Sequence, residues 1–147
     1  MTTKSPAGTK QDVTGVLNKQ LANWCVLFVK LHNYHWFVKG NSFFALHSKF
    51  EELYNEAATY IDDLAERVLS IGGKPLATMR EYLAEASVKE ATGTEKTADM
   101  VRAIEQDFRM LLEELEKGME TAQAAGDEST ADMLLGVHSS LQKHIWM

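Results

Sequence analysis

A helical hydrophobic period runs through almost the whole chain, and this feature restricts its fold more than any other. Apolar side chains recur every three or four residues from Val13 until Gly40 ends the first segment, and comparable segments cover about 43–71, 94–124 and 131–147. A short amphipathic stretch, "TMREYLAEAS", lies between the second and third segments. Only two prolines occur, and no stretch alternates as a strand does. We therefore predict an all-α fold of four long helices with one short extra helix.

The connections predict how these helices are arranged. Short turns at "GNS" and "AAGDEST" join the first helix to the second and the third to the fourth, whereas a long connection starts at "GGKP" after the second helix. This order is typical of an up-down-down-up bundle of the ferritin-like kind. Residues 1–12 show no period, so we expect a flexible N-terminal tail followed by a single bundle domain, 13–147.

The charge and cysteine content exclude several classes of protein. Asp and Glu number 21 against 15 Lys and Arg, a net charge of −6, which argues against a bare nucleic-acid-binding surface and is compatible with attracting cations. A single cysteine cannot form an intrachain disulfide. No apolar run approaches the ~18–20 residues that span a membrane, and the N-terminus lacks the apolar core of a signal peptide. We expect a cytoplasmic protein.

Two histidines occupy positions that an amphipathic helix would normally give to Leu or Phe. His35 lies six residues before Asn41 and His47 six residues after it, so an antiparallel hairpin would hold both at the same height, facing inward. Each one alone is explained by a hydrogen-bonded core histidine. The matched pair makes a transition-metal site equally plausible, because neutral imidazole is a common metal ligand.

Three carboxylates of the second helix lie on the side of His47. At ~100° per residue, Glu51, Asp62 and Glu66 fall within about 100° of it. Glu51 and Asp62 are eleven residues apart, a rise of ~16 Å, which is too far for one metal ion. The two groups must therefore belong to different sites, and a two-fold axis between subunits would bring the first group of one chain to the second group of another. The sequence also contains no Glu-x-x-His motif, which argues against a di-iron centre inside one bundle.

Two consecutive segments resemble the Dps family of mini-ferritins, most closely those of Gram-positive bacteria. They read "LHNYHWFVKGNSFFALHSKFEELY" and "YIDDLAERVLSIGGKPLATMREYL", and the resemblance extends from Val16 to the end of the chain. It implies a four-helix bundle assembled as a hollow shell of twelve subunits. It further implies a ferroxidase that oxidises Fe(II) with hydrogen peroxide, or with O2, at di-iron centres on two-fold interfaces, and that stores the ferric product.

The same resemblance assigns roles to individual residues. It implies that one subunit supplies His35, His47 and Glu51 as iron ligands, and that its neighbour supplies Asp62 and Glu66. Many relatives carry Asp at position 51. Trp36 matches the tryptophan beside that centre, where it would act as an electron donor; a plain interface aromatic is an equal alternative.

Five other carboxylates have two interpretations each. Glu52 and Glu56 lie on the far side of the second helix, either solvated or facing the cavity of a shell, where they would nucleate ferric mineral. Asp63 lies on the same side, and we expect it to pair with Arg67 one turn later; facing the cavity is the less favoured alternative. Glu128 and Asp132 begin the last helix, where acids complement the helix dipole. The resemblance implies instead that these two line a pore for iron entry.

Binding to DNA stays open as an alternative function. Some members of the family coat DNA through lysine-rich tails, which would make the protein a nucleoid-protecting one with a secondary metal site. Here only Lys4, Lys10 and Lys19 precede the core, so contact with DNA would be weak and sensitive to salt, although twelve copies would add avidity. A plain structural bundle with core histidines is the third possibility.

Overall fold

Five helices make up the part of the protein that the computed structural model describes, residues 9–147. They are listed in chain order: α1 Lys10–Phe37, α2 Phe43–Ser70, α3 Met79–Glu85, α4 Thr97–Ala124 and α5 Glu128–Trp146. This part of the chain contains no strand, so the predicted all-α bundle with a short helix in the long connection is confirmed. None of its helices is long and apolar enough to cross a membrane.

Side-chain caps explain where two helices begin. Thr9 and Asp12 form a reciprocal capping box at the start of α1, so this helix begins at Lys10, three residues before the start of the apolar period at Val13. Residues 1–8 of the predicted tail lie outside the described part of the chain. Asp127 accepts the backbone N–H of Thr130 and starts α5 at Glu128, three residues before the predicted 131.

Helix α1 is the centre of the bundle. It packs against α2, α3 and α4, and every residue from Gln20 to Leu27 is buried, which a helix with only one covered face cannot achieve. Trp24 fills the middle of this core against Tyr60 of α2 and Phe108 of α4. A short ion pair, Lys30 Nζ to Asp107 Oδ2 at 2.7 Å, joins α1 to α4 within the buried region.

Two asparagines of α1 hold the long connection between α2 and α4. Asn23 is fully buried, and its Oδ1 accepts the backbone N–H groups of Ser87 and Val88. Asn18 accepts the backbone N–H of Leu76 and donates to the carbonyl of Lys74. These bonds satisfy backbone groups that have no helix or sheet partner, and they fix the path of the connection across α1.

Candidate metal centre

The hairpin between α1 and α2 brings His35 and His47 into direct contact. His35 lies in the last turn of α1 and His47 in the second turn of α2, and Gly40 allows the tight link between them with a φ of 99°. Their rings stack with centroids 3.6 Å apart and planes 17° from parallel. His35 is buried, at 7% exposure, and His47 is half-buried.

Each histidine is hydrogen-bonded to the backbone of the other. Nδ1 of His35 lies 2.7 Å from the carbonyl oxygen of His47, and Nδ1 of His47 lies 2.8 Å from the carbonyl oxygen of His35. A carbonyl can only accept, so both Nδ1 atoms carry the proton. In the neutral ring Nε2 then has a free lone pair, the state in which imidazole binds a metal. Within residues 9–147, neither Nε2 atom has a hydrogen-bond partner.

Glu51 lies one helical turn beyond His47 and is exposed. Its Oε1 accepts a hydrogen bond from the Tyr54 hydroxyl at 3.3 Å. The Tyr54 ring in turn meets His35 edge-on, with centroids 5.3 Å apart, and stacks on His32 at 3.7 Å. Partial burial and the neighbouring Glu51 carboxylate raise the pKa of Tyr54, so its phenol is protonated at neutral pH.

Sequence reasoning missed Tyr54 and His32, although a signal existed. Tyr54 follows His47 by seven residues, or two turns of α2, and therefore shares its face. His32 precedes Trp36 by one turn of α1 in the same way.

Asp62 and Glu66 do not reach the histidines within one chain. Both are exposed on α2, which continues unbroken from Phe43 to Ser70, so the rise of ~16 Å between Glu51 and Asp62 is maintained. In the described residues, no three His, Cys, Asp or Glu side chains come close enough to hold a metal ion. Of the predicted ligands, the single chain thus brings together only His35 and His47 among residues 9–147; that Glu51, Asp62 and Glu66 join them in one centre stays a prediction.

Trp36 faces away from the bundle next to His35. Its side chain is 65% exposed and its ring lies 5.3 Å from that of His32. Phe37 and Phe44, also largely exposed, flank the same hairpin. In the single chain this end of the molecule is therefore an uncovered aromatic surface.

Glu56 does not share an open face with Glu52, contrary to expectation. Glu52 is exposed and forms an ion pair with Lys49 at 3.3 Å. The Glu56 carboxylate turns toward α5, where it accepts hydrogen bonds from the hydroxyls of Ser140 and Tyr60 and from Nε2 of His144 at 2.6 Å.

The protonation of His144 follows from its two partners. Lys49 Nζ lies 3.0 Å from Nδ1 of His144 and can only donate, so Nδ1 accepts and Nε2 carries the proton given to Glu56. Burial raises the pKa of Glu56, but the hydrogen bonds from His144, Ser140 and Tyr60 outweigh it and lower the pKa to about 2. Glu56 is therefore a carboxylate tied into the bundle.

The predicted partner of Arg67 is also wrong. Arg67 does not pair with Asp63; it bonds Asp127 at 2.8 Å and the Thr130 hydroxyl at 2.9 Å, because its side chain extends across to the start of α5. Glu128 and Asp132 are exposed in the first two turns of α5, consistent with either the dipole or the pore interpretation.

Comparison with known proteins agrees with this architecture. The ferritin-like domain family matches residues 15–147. The chain is 61% identical over 131 residues to general stress protein 20U of Bacillus subtilis, covering 89% of this chain and 90% of the relative. It is 59% identical over 137 residues to DNA protection during starvation protein 2 of Bacillus anthracis, covering 93% and 94%.

Solved structures of Dps proteins have the same fold. The crystal structure of Dps from Staphylococcus aureus superposes with a TM-score of 0.95 at 50% identity, covering 96% of this chain and 95% of the other. A Dps protein from Bacillus brevis gives a TM-score of 0.94 at 54% identity, with 99% and 96% covered. This chain belongs to the Dps family of mini-ferritins.

Proposed function

We propose that this protein is a ferroxidase and iron store that protects the cytoplasm from oxidative damage. It oxidises Fe(II) with hydrogen peroxide, or with O2, at centres shared between subunits, and it keeps the ferric product inside a dodecameric shell. The observation that carries the proposal is the His35–His47 pair, whose reciprocal backbone bonds leave both Nε2 atoms free for a metal. Membership of the Dps family supports the same conclusion.

The proposed centre has ligands from two chains. One subunit supplies His35, His47 and Glu51, and its two-fold neighbour supplies Asp62 and Glu66. Nitrogen and oxygen donors suit both Fe(II) and Fe(III), so the same ligands hold substrate and product. Two irons at one centre match the chemistry of the oxidant: two Fe(II) give up one electron each, and hydrogen peroxide takes both electrons with two protons to form two waters. Oxidation in pairs therefore releases no hydroxyl radical.

The remaining predicted residues have supporting roles. Trp36, exposed beside His35, is an electron donor at the centre. Glu128 and Asp132 at the start of α5 draw Fe(II) to an entry pore. Glu52 is available for mineral nucleation, whereas Glu56 is held by α5.

An anaerobic Fe(II) titration followed by peroxide tests the function. We expect saturable binding to the assembled protein and rapid oxidation, and loss of both in His35→Ala. His138→Gln is the matched control, since His138 is also a buried histidine but bonds Glu116 of α4, away from the hairpin. Absence of saturable binding in the unmodified protein, or equal binding by His35→Ala, would contradict the proposal.

DNA binding is a second candidate, because several relatives are named for DNA protection during starvation. With a net charge of −6 per chain, we expect at most weak binding to nucleoid DNA. A gel-shift titration across salt concentrations separates the two candidates: no shift at low salt removes DNA binding, whereas a shift that survives physiological salt makes it a principal activity.

A further inference from the structure

The linker between α1 and α2, residues 38–42, sets the distance between the two proposed histidine ligands. His35 lies two residues before the end of α1 and His47 four residues after the start of α2, so both are close to the linker. Their rings stack with centroids 3.6 Å apart, and each ring bonds the backbone of the other helix. Both contacts require the two helix ends to stay at one separation, which makes the conformation of the linker part of the site.

Packing alone does not hold this linker. Val38 is buried, at 2% exposure, but residues 39–42 are all exposed. A backbone hydrogen bond from Phe43 to the Gly40 carbonyl closes the turn but does not tie it to the rest of the bundle, and Ser42 makes no side-chain bond as the cap of α2. Exposed backbone with few buried contacts opens easily. The linker therefore needs a contact from elsewhere in the fold.

Thr97, the first residue of α4, supplies that contact. Its hydroxyl donates to the carbonyl oxygen of Lys39 at 2.7 Å and accepts the Lys39 backbone N–H at 3.3 Å. Within residues 9–147, no other side chain is hydrogen-bonded to the linker. Because Thr97 is β-branched and begins a helix, its side chain has little freedom to follow the linker. One hydroxyl thus fixes both polar groups of the Lys39 backbone relative to α4.

We propose that Thr97 is a positioning residue of the metal centre; the inference rests on the proposed function. Through Lys39 it keeps α1 and α2 at the separation at which His35 and His47 exchange hydrogen bonds and present Nε2 to a metal. Without the hydroxyl, water replaces it at Lys39, because this backbone is exposed, and water leaves the linker free to move. The histidine pair is then formed for only part of the time, and metal binding weakens.

Anaerobic titration of the assembled protein with Co(II) measures the effect on binding. Co(II) takes the same nitrogen and oxygen ligands as Fe(II), and its visible absorption follows occupancy of the site. Only the binding that His35→Ala abolishes is counted. Thr97→Val has nearly the volume of threonine but lacks the hydroxyl, and we expect its affinity to be about tenfold lower, as for other residues that orient a metal ligand. Thr97→Ser keeps the hydroxyl and should bind as the unmodified protein does.

A measurement without metal tests the positioning itself. Magic-angle-spinning NMR of the metal-free assembled protein, with isotope-labelled histidine, distinguishes rings protonated at Nδ1 from rings protonated at Nε2. The signals of His35 and His47 are assigned by their loss when both residues are replaced by alanine. We expect Thr97→Val to convert part of their Nδ1-protonated signal to the Nε2-protonated form, and Thr97→Ser to retain it. A substitution that merely lowers the stability of the fold leaves the tautomers of the folded protein unchanged.

Thr121→Val is the matched control. Thr121 also belongs to α4 and donates to a backbone carbonyl, that of Lys117, but at 3.1 Å within its own helix. Its substitution should change neither the Co(II) affinity nor the tautomers. If the particle mass shows that Thr97→Val does not assemble, Thr97→Ala takes its place, since it also lacks the hydroxyl and adds no bulk.

The possible outcomes separate this inference from the proposed function. Equal Co(II) affinity of Thr97→Val and the unmodified protein overturns the positioning role. So does a lower affinity with unchanged tautomers, or an equally low affinity in Thr97→Ser. If the unmodified protein binds neither Co(II) nor Fe(II), the proposed function fails; the tautomer comparison needs no metal and then still decides whether Thr97 holds the histidine pair.

Discussion

His35 and His47 illustrate how backbone carbonyls prepare side chains for binding. Each carbonyl fixes the tautomer of the opposite ring, so no carboxylate is needed behind either histidine. Equal spacing about the turn was enough to predict that the two residues meet. The exchange of hydrogen bonds was not predictable, because it depends on the ψ and χ angles of the hairpin and not on its periodicity.

Glu56 provides a test of acid stability. The pKa of this carboxyl is about 2 in the folded protein, below its ordinary value of 4.5, so its ionised form stabilises the fold. This contribution is fully present above about pH 4.5 and disappears as the pH falls toward 2. We expect Glu56→Gln to lower the free energy of unfolding by up to about 3 kcal/mol at neutral pH, with the difference shrinking between pH 5 and 2.

Urea unfolding at several pH values measures this effect, with Glu52→Gln as the control. Glu52 is one turn away on α2 and its side chain is 60% exposed, so its substitution should change stability by less than about 1 kcal/mol at every pH. If the free energies of unfolding of Glu56→Gln and the unmodified protein differ by the same amount at every pH, the ionised form of Glu56 does not stabilise the fold.

The partners of the polar residues of α2 were the hardest feature to predict from the sequence. The helical period gave the angular position of Glu56 and Arg67, but not the fact that α5 lies within reach of both. Glu56 is satisfied by Ser140 and His144, which are eighty-four and eighty-eight residues further along the chain. Such long-range polar pairs leave no periodic trace in a single sequence.

The helical period of the sequence predicted the type and number of the secondary-structure elements well, but their first residues less well. The predicted starts of α1, α4 and α5 are each displaced by three residues from those observed. Asp127 caps α5, but another acidic residue lies in the same turn. The sequence pattern alone therefore could not show which residue is the cap. The roles of Asn18 and Asn23 were missed because their partners are backbone groups of an irregular connection.

Gly118 of α4 lies close to side chains of α1 and α5, which leads to a prediction. A Cβ atom there would lie 2.6 Å from Cγ1 of Val16 and 3.3 Å from Cδ1 of Leu134. Val16 is β-branched and stiff, and Leu134 is fully buried, so neither moves away easily. We expect Gly118→Ala to lower the free energy of unfolding by about 1–3 kcal/mol.

Gly15→Ala is the matched control, since a Cβ at Gly15 in α1 meets nothing within 4 Å. It should raise the free energy of unfolding by about 0.5–1 kcal/mol through helix propensity. Thermal and urea unfolding of both variants measure these two changes in the free energy of unfolding. Stabilisation by Gly118→Ala would show that α4 is free to shift away from α1.

For the whole molecule, the division of the proposed ligands between two chains can be tested by mixing. Chains carrying His35→Ala and His47→Ala are co-assembled in equal amounts with chains carrying Asp62→Ala and Glu66→Ala. Neither variant alone should bind iron at the centre. Random pairing across a two-fold axis gives mixed dimers half of the time, each with one intact centre out of two, so we expect about one quarter of the normal binding.

Iron binding per chain and particle mass are the two measurements needed. If the mixture binds no iron although its particle mass equals that of the unmodified protein, the ligands do not come from two chains. Binding by either variant alone would instead show that half of the ligand set is sufficient.

The unbroken length of α2 has a consequence for when the protein is active. Because α2 keeps its two groups of proposed ligands about 16 Å apart, a newly made chain carries no complete centre. The concentration of working centres therefore follows the square of the free-chain concentration until pairing is complete. Under the proposed function, oxidation of iron would begin only once chains have paired, and dilution of the subunits would stop it without any inhibitor.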